Sequence, residues 1–207
     1  MLQNITSKSI LNRLPIYLEY CTDYLKYNPS TIYISSKKIA NELSLGEVQV
    51  RKDLFVVSGN GRPKKGYSIT MLIENIKNYL GIDNKKKGII VGVGKLGSAL
   101  IGFNEFSKYG FEIVAGFDVV KKEPINNISI KELNEINLQE VLINHKVDIA
   151  IICTPKEQAQ CVCDLLVKNN ISAIWNFVPI RLKVPKDVLV QNENLSYSVS
   201  ILSSLIK

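Results

Sequence analysis

The sequence has few of the residues on which metal centres, redox catalysis and secretion depend. It contains one histidine, one tryptophan and four cysteines among 207 residues, and no Cys-x-x-Cys pair. No apolar run reaches the roughly 18 residues that span a bilayer. The N-terminal stretch MLQNITSKSILNRLP lacks the apolar segment of a signal peptide. These absences predict a cytoplasmic protein with reduced thiols and no bound metal.

Charge, in contrast, is unevenly distributed along the chain. The formal net charge is +7. Residues 1–82 contain 11 basic and 6 acidic residues, whereas residues 83–207 contain 15 and 13. The positive excess therefore belongs mainly to the N-terminal segment. This asymmetry indicates a polyanionic partner for that segment, although a generally lysine-rich composition would give the same balance.

A glycine-rich loop lies between an apolar run, GIIV (88–91), and a stretch with helical periodicity, SALIGFNEFSKYG. In such a G-x-G-x-x-G pattern, the first glycine permits a tight turn and the second lets a pyrophosphate approach. The third lets the helix pack closely on the strand. The pattern therefore predicts a dinucleotide site at the start of the helix. The loop residues are Gly92, Val93, Gly94, Lys95, Leu96 and Gly97.

A second apolar run, FEIVAGFD, ends at Asp118. It places a carboxylate about 20 residues beyond the last glycine, where it can bind a ribose 2′-hydroxyl. The acid favours NAD over NADP, although Lys121 and Lys122 leave room for a 2′-phosphate. The alternative is a Rossmann-like fold whose site is empty.

The rest of the chain alternates helix-like and strand-like segments, at 133–146, 147–155, 156–170 and 171–182. This alternation predicts a doubly wound α/β domain with a parallel sheet of the Rossmann type. Ligands bind at the carboxyl ends of such strands, so we expect Thr154, Pro155, Asn176 and Phe177 to face the cofactor.

A small NAD-dependent oxidoreductase is the less favoured alternative. The strand ends carry no residue suited to hydride-transfer acid–base chemistry. The only histidine, His145, precedes a strand, and no Tyr-x-x-x-Lys pair lies on a helix beside the site. Little chain remains for a substrate domain. We therefore expect no catalytic residues.

The N-terminal segment has the pattern of a helix-turn-helix. Residues 8–27 have helical spacing, with Pro15 either kinking the helix or lying in its first turn. In YISSKKIANEL, Ser35 or Ser36 can cap a helix that turns Ile39, Ala40 and Leu43 inward. SLGEVQVRKDLFVV then begins with a cap at Ser44 and is expected to direct Val48, Leu54 and Phe55 to the core. The helix MLIENIKNYLGID, with Gly81 near its end, leads into the next domain.

The second helix of this pair and the segment after it carry the positive charge. Gln49 can read adenine, and Arg51 and Lys52 can reach guanine or phosphate. The stretch SGNGRPKKGYSI (58–69) resembles a β-hairpin wing with a basic tip. The alternative is a set of solvated surface charges. The residues to which we assign DNA contacts are Ser35, Ser36, Gln49, Arg51, Lys52, Arg62, Lys64 and Lys65.

These features together resemble the Rex family of redox-sensing transcriptional repressors over nearly the whole chain in one register. The most specific similarities are Val50-Arg51-Lys52-Asp53-Leu54 and Asn176-Phe177-Val178-Pro179. Similar segments are Arg13–Tyr17, Ser35-Ser36, Gly66-Tyr67, Gly92–Gly97, Phe117–Val119, Thr154-Pro155 and Asn194–Ser196.

The resemblance implies a winged-helix DNA-binding domain at 1–82, a Rossmann dinucleotide-binding domain at 83–190 and a C-terminal dimerisation helix, exchanged between subunits, at 191–207. The apolar stripe of Leu195, Val199, Leu202, Leu205 and Ile206 agrees with such a helix, although packing on its own subunit is the alternative. The resemblance further implies a homodimeric repressor that binds a palindromic, AT-rich operator and is released from it by NADH.

The chain departs from the family pattern at residues that the resemblance connects with sensing. Phe103 stands where a tyrosine lies near the nicotinamide, and Lys95 replaces an asparagine of the glycine loop. Asn194 stands where an aspartate pairs with Arg13, so that contact loses its charge-assisted part. The wing has Pro63, Lys64 and Lys65 in place of an arginine–glycine pattern. A DNA-binding repressor with a weakened or lost NADH response is therefore the alternative.

Overall fold

The computed structural model describes residues 8–206. The chain divides after Asn84 into two compact units, and each unit has its own hydrophobic core. None of the described helices is both long enough and apolar enough to cross a lipid bilayer.

The first unit is built from four helices and two short strands. Helix α1 spans Lys8–Tyr27, strand β1 Tyr33–Ile34, helix α2 Ser36–Glu42 and helix α3 Glu47–Ser58. Strand β2 (Tyr67–Ser68) pairs antiparallel with β1, and helix α4 (Ile69–Leu80) follows it. Helices α2 and α3 form the predicted helix-turn-helix, and the segment between α3 and β2 forms the wing.

The ends and the interior of the helices in this unit agree with the sequence prediction at some residues and differ at others. Helix α1 continues through Pro15, which lies in its interior. Ser35 caps α2 as predicted, its hydroxyl accepting a hydrogen bond from the Lys38 backbone N–H at 3.1 Å. The predicted Ser44 cap is wrong, because Ser44 lies in the turn with φ of 53° and Gly46 precedes α3.

The predicted inward-facing set of α3 is partly wrong. Leu54 is fully buried, but Val48 and Phe55 are exposed. Helix α3 packs on the core through Val50 and Leu54. Residues seven positions apart share one face of a helix, so Val48 and Phe55 lie together on the opposite side.

The second unit is built around one seven-stranded sheet. Its strands are β3 (Lys86–Val91), β4 (Phe111–Asp118), β5 (Lys122–Ile125), β6 (Ile128–Glu132), β7 (Ile149–Ile152), β8 (Ala173–Asn176) and β9 (Leu189–Asn192). The order across the sheet is β5-β6-β4-β3-β7-β8-β9. Every neighbouring pair is parallel except β5 and β6. The chain leaves β3 toward β4 and later returns to its other side at β7, which creates a crevice at the carboxyl ends of these strands.

The helices of the second unit are α5 (Lys95–Ile101), α6 (Glu135–Asn144), α7 (Ala159–Lys168) and α8 (Leu195–Leu205). The single helix expected for SALIGFNEFSKYG is in fact two elements. Helix α5 ends at Ile101, and a 3₁₀ helix, Asn104–Tyr109, follows. The core of the unit lies mainly between β3, β4, β7 and β8 and the helices α6 and α7.

Candidate functional site

The glycine loop leaves β3 in a conformation that only small residues tolerate. Gly92 has φ of +94°, and a Cβ there would come within 2.7 Å of the Cys153 carbonyl oxygen. A Cβ on Gly97 would collide with the Gly92 carbonyl oxygen. The loop is therefore packed tightly against the end of β7, and the first turn of α5 is packed against the loop, as the fingerprint requires.

Gly94 differs from these two glycines, because nothing lies within 4 Å of the position where its Cβ would be. It precedes α5, and no side chain caps the backbone N–H groups of that helix. The second glycine therefore borders open space beside uncapped donors. A pyrophosphate can approach the backbone there and accept hydrogen bonds from these N–H groups.

Asp118 lies at the end of β4, next to this loop. Its Oδ2 accepts hydrogen bonds from the Val93 N–H at 3.0 Å and from Lys122 Nζ at 2.6 Å, and its Oδ1 accepts one from the Val119 N–H at 2.7 Å. Lys122 Nζ also donates to the Val93 carbonyl oxygen at 2.8 Å. Burial opposes ionisation of Asp118, but the hydrogen bonds from Lys122, Val119 and Val93 outweigh it and lower the carboxyl pKa. A fixed carboxylate thus stands where the sequence predicts the ribose contact.

The end of β7 presents a polar group to the same loop. The Thr154 hydroxyl is buried and has no hydrogen-bond partner among the described residues. Its backbone nitrogen lies 2.7 Å from the position of a Cβ on Gly92. Burial raises the pKa of the adjacent Cys153 thiol to about 12, so this cysteine remains protonated at neutral pH and is a poor nucleophile. The orphaned hydroxyl fits a site that takes a polar ligand.

Asn176, in contrast, uses its side chain to hold the loop after β8. The fully buried amide donates to the Val178 and Ile180 carbonyl oxygens at 3.1 Å each, and to Asn192 Oδ1 at 2.9 Å. Its own oxygen accepts from the Val178 N–H at 3.0 Å. Asn176 therefore shapes the strand end on which Phe177 lies, and its amide is committed to the protein.

Aromatic rings cluster near this strand end. The Phe177 ring lies 4.9 Å from the Trp175 ring, Trp175 lies 5.5 Å from Phe106, and Phe106 lies 5.0 Å from Phe103. Phe103 is half exposed at the start of the 3₁₀ helix. The residues present fit a dinucleotide. The loop can admit its pyrophosphate and Asp118 can contact its ribose. The Phe103 ring is half exposed next to the aromatic cluster.

The first unit has a basic groove between α3 and the wing. The groove has a volume of about 800 Å³. Phe55 and Val56 of α3 form part of its wall. It brings together seven of the residues predicted to contact DNA: Ser35, Ser36, Arg51, Lys52, Arg62, Lys64 and Lys65.

The wing is a tight turn that is closed by two backbone hydrogen bonds between Arg62 and Gly66. The Arg62 N–H donates to the Gly66 carbonyl oxygen at 2.7 Å, and the Gly66 N–H donates back to Arg62 at 2.9 Å. Arg62 Nη1 donates to the Tyr33 hydroxyl at 2.6 Å, and Lys65 Nζ lies 5.5 Å from the Tyr33 ring centre. These contacts hold two cations of the wing beside β1.

Gln49 does not line this groove, because its side chain is engaged on the flank of α3. Its Nε2 donates to Asp53 Oδ1 at 2.8 Å. Asp53 is buried and also accepts from the Tyr17 hydroxyl at 2.8 Å and from Arg13, through Nε at 2.7 Å and Nη2 at 2.9 Å. Sequence reasoning missed this network, although the Arg–Lys–Asp–Leu run and Arg13 were both singled out.

The predicted switch residues lie in different networks. Within the first unit, Arg13 forms a bidentate ion pair with Asp53 through Nε and Nη2, and its Nη1 does not contribute to that pair. Asn194 caps α8, its Oδ1 accepting from the Ser196 N–H at 3.0 Å. On α8, Val199, Leu202, Leu205 and Ile206 are exposed, and the side chain of Leu195 lies outside the described residues.

Comparisons with known proteins cover both units. A family model described as CoA binding domain matches residues 83–180, and one described as putative DNA-binding protein N-terminus matches residues 6–54. The redox-sensing transcriptional repressor Rex of Clostridium acetobutylicum is 35% identical over 204 residues, 97% of this chain and 94% of the relative. Rex of Clostridium botulinum is 38% identical over 203 residues, 97% of this chain and 95% of the relative.

Solved structures of a Rex-family repressor also match nearly the whole chain. The crystal structure of RSP in complex with β-NAD⁺ and operator DNA matches with a TM-score of 0.89 and 34% identity, covering 99% of this chain and 94% of that one. The complex of RSP with β-NADH matches with a TM-score of 0.86 and 33% identity, covering 99% and 95%. RSP is described as a Rex-family repressor.

A winged helix with a basic groove, on one chain with a Rossmann glycine loop, defines a DNA-binding regulator with a nucleotide site rather than an enzyme. The extent and identity of the matches give the family. The chain belongs to the Rex family of redox-sensing transcriptional repressors.

Proposed function

We propose that this protein is a transcriptional repressor that senses the ratio of NADH to NAD⁺ and leaves its operator when NADH binds. The observation that carries the proposal is the pairing of two sites on one chain. A glycine loop open at Gly94 lies in one unit, and a basic groove suited to duplex DNA lies in the other. Relatives solved with NAD⁺ and operator DNA, and with NADH, support it.

We assign the dinucleotide contacts to the glycine loop, Asp118, the Thr154-Pro155 strand end and the Phe103 and Phe177 rings. Asn176 acts by shaping the loop that carries Phe177, because its own amide is fully used. Lys122 neutralises Asp118 locally and keeps it oriented. NAD(H) is the dinucleotide that a ribose-binding carboxylate favours.

We further propose that the protein acts as a homodimer in the cytoplasm and recognises a palindromic, AT-rich operator. The exposed apolar side chains of α8 support a subunit-exchanged helix, since an apolar stripe on a terminal helix requires a covering surface. A two-fold dimer reads two half-sites whose spacing matches its own, so a domain rotation can abolish binding. As part of this proposal, we assign DNA binding to residues 1–82, dinucleotide binding to residues 83–190 and dimerisation to residues 191–207.

The sensing proposal is tested by an operator-binding titration. Anisotropy of a fluorescent operator duplex is followed at fixed salt while NADH or NAD⁺ is added separately. We expect NADH to weaken operator binding and NAD⁺ to leave it unchanged. Equal responses to the two forms would remove the sensor role, because operator affinity would then not depend on the ratio of NADH to NAD⁺. A Gly94→Ala variant, whose Cβ projects into the open approach to the loop, is the matched control. It should bind the operator normally and respond to neither form.

The DNA-binding surface is tested by removing single cations. Arg51→Ala and Lys52→Ala should weaken operator binding, because both line the groove on α3. Lys64→Ala should reduce the salt slope of binding by about one while sequence preference is retained. Lys168→Ala, which removes an exposed lysine of the second unit, is the control and should bind like the parent. If the three groove variants bind like the parent, the recognition surface is elsewhere.

A Rex-type repressor with a weakened NADH response is the second candidate, and Asn194 favours it. Asp also caps helices well, so Asn194→Asp preserves the contact to the Ser196 N–H and adds only charge. If the missing carboxylate weakens the response, this variant should show stronger NADH-dependent release in the same titration. Asn194→Ser, a neutral capping residue, should not. An unchanged response in Asn194→Asp would count against this candidate.

A further inference from the structure

The exposed face of α3 has an apolar centre. Val48 and Phe55 are 55% and 54% exposed, whereas Val50 and Leu54 on the other face are fully buried. At 100° per residue, position 52 lies at the middle of the solvent side. Positions 48, 55 and 56 flank it, and Arg51 lies beside position 55. Three large apolar side chains, Val48, Phe55 and the 52% exposed Val56, therefore lie on the outward side of this helix.

Among the described residues of the first unit, Val48 and Phe55 take no part in the hydrophobic core. The core on α3 is filled by Val50 and Leu54, and Asp53 ties the flank of the helix to α1. Exposing a valine and a phenylalanine at the centre of a helix face forfeits their burial, and contiguous exposed apolar side chains usually mark a binding surface.

The surroundings specify what binds there. Arg51 and Lys52 lie on the same face, and Phe55 lines the groove with the basic wing. The molecule that binds this face must therefore carry negative charge and must also present small apolar groups to the exposed side chains of α3. A major groove provides both, because phosphates border it and each thymine projects a C5 methyl group into it.

We propose that Val48 and Phe55 read thymine methyl groups in the major groove and so determine base preference. This inference rests on the proposed function, because it assumes that α3 enters operator DNA. Arg51 and Lys52 then supply contacts to phosphate or guanine on either side. Gln49, committed to Asp53, contributes to the position of the helix rather than to base reading.

The test uses deoxyuridine, which differs from thymidine only by the missing methyl group. A binding duplex is first enriched from a random pool with the full-length protein. Each thymine of one half-site is then replaced singly by deoxyuridine, and the dissociation constant is measured. We expect one or two positions at which the parent loses about fourfold in affinity, the value for one buried methyl group.

The variants connect these positions to the two residues. Phe55→Ala and Val48→Thr, which keeps the volume of valine, should bind the thymine duplex more weakly and each lose sensitivity to deoxyuridine at one position. Both residues are exposed, so the circular dichroism spectrum should be unchanged. Met71→Ala, at a 60% exposed apolar residue on α4, is the matched control and should retain the full sensitivity.

Each other outcome contradicts the inference in a distinguishable way. If deoxyuridine has no effect on the parent, or if the variants keep the parent's sensitivity, α3 does not read methyl groups. If the variants bind DNA normally but lose self-association, this face contacts another copy of the chain instead. If no duplex is enriched, the proposed DNA-binding function itself fails, and the inference fails with it.

Discussion

Asp53 is the residue whose removal should most weaken the DNA-binding unit. It is 4% exposed and accepts four hydrogen bonds, two from Arg13, one from Tyr17 and one from Gln49. It joins α3 to α1, so the orientation of the recognition helix depends on it. Removing one partner of a buried ion pair costs about 3–5 kcal/mol. Because Asp53→Asn keeps the shape and can still accept from some donors, we expect a loss of about 3 kcal/mol.

The assay is urea unfolding of the full chain, followed by far-UV circular dichroism for the helices of both units. The single tryptophan, Trp175, lies in the second unit, and its fluorescence reports that unit separately. Lys168→Gln breaks an exposed pair with Glu135 and should cost at most about 0.5 kcal/mol. If Asp53→Asn lowered the free energy of unfolding no more than this control does, the hydrogen bonds to Asp53 would contribute little to stability and the reasoning would be wrong.

The same network predicts a pH dependence with a definite sign. Burial disfavours the Asp53 carboxylate, but hydrogen bonds from Arg13, Tyr17 and Gln49 outweigh it and lower its pKa. A carboxyl group with a lowered folded-state pKa stabilises the fold above its unfolded value of about 3.9, and this stabilisation is lost as pH falls through the folded value. The parent should therefore lose stability more steeply than Asp53→Asn as pH falls below about 4.

Three further predictions concern the second unit. Gly94→Ala should weaken NADH binding and leave the melting temperature unchanged, because nothing lies near its new Cβ. Gly97→Ala should lower both the melting temperature and the NADH affinity, because its Cβ collides with the Gly92 carbonyl oxygen. Thermal melts and NADH fluorescence titration measure the two effects, and equal melting temperatures of the two variants would refute the distinction. Asp118→Ala should weaken NADH about tenfold in the same titration, the value of one charge-assisted hydrogen bond, and undiminished binding would place the ribose elsewhere. Leu202→Glu should convert the proposed dimer to monomer in sedimentation experiments, and a stable dimer would mean that α8 is not at the interface.

The nucleotide loop was predictable because its constraints are local. A glycine that must take positive φ, a glycine that must touch a strand and an acid at the end of the next strand leave a pattern in neighbouring residues. The edge strands β5 and β9 leave no such pattern, because their segments are short and largely exposed. The role of Asn176 was also hidden, since its partners, Ile180 and Asn192, are fixed by the fold rather than by spacing.

Helix α3 shows a different limit. Its sequence contains two apolar stripes, one through Val50 and Leu54 and one through Val48 and Phe55, and periodicity alone treats them as equivalent. Burial of Val50 and Leu54 in a core shared with α1 and α4 decides between them. The exposed stripe of Val48 and Phe55 is then available for binding, whereas a buried stripe contributes only to packing. A buried phenylalanine would report only on packing, but an exposed one among arginine and lysine must be explained by what the helix contacts. The exposure of Val48 and Phe55, which contradicts the sequence prediction, is the observation from which we infer how α3 reads the operator.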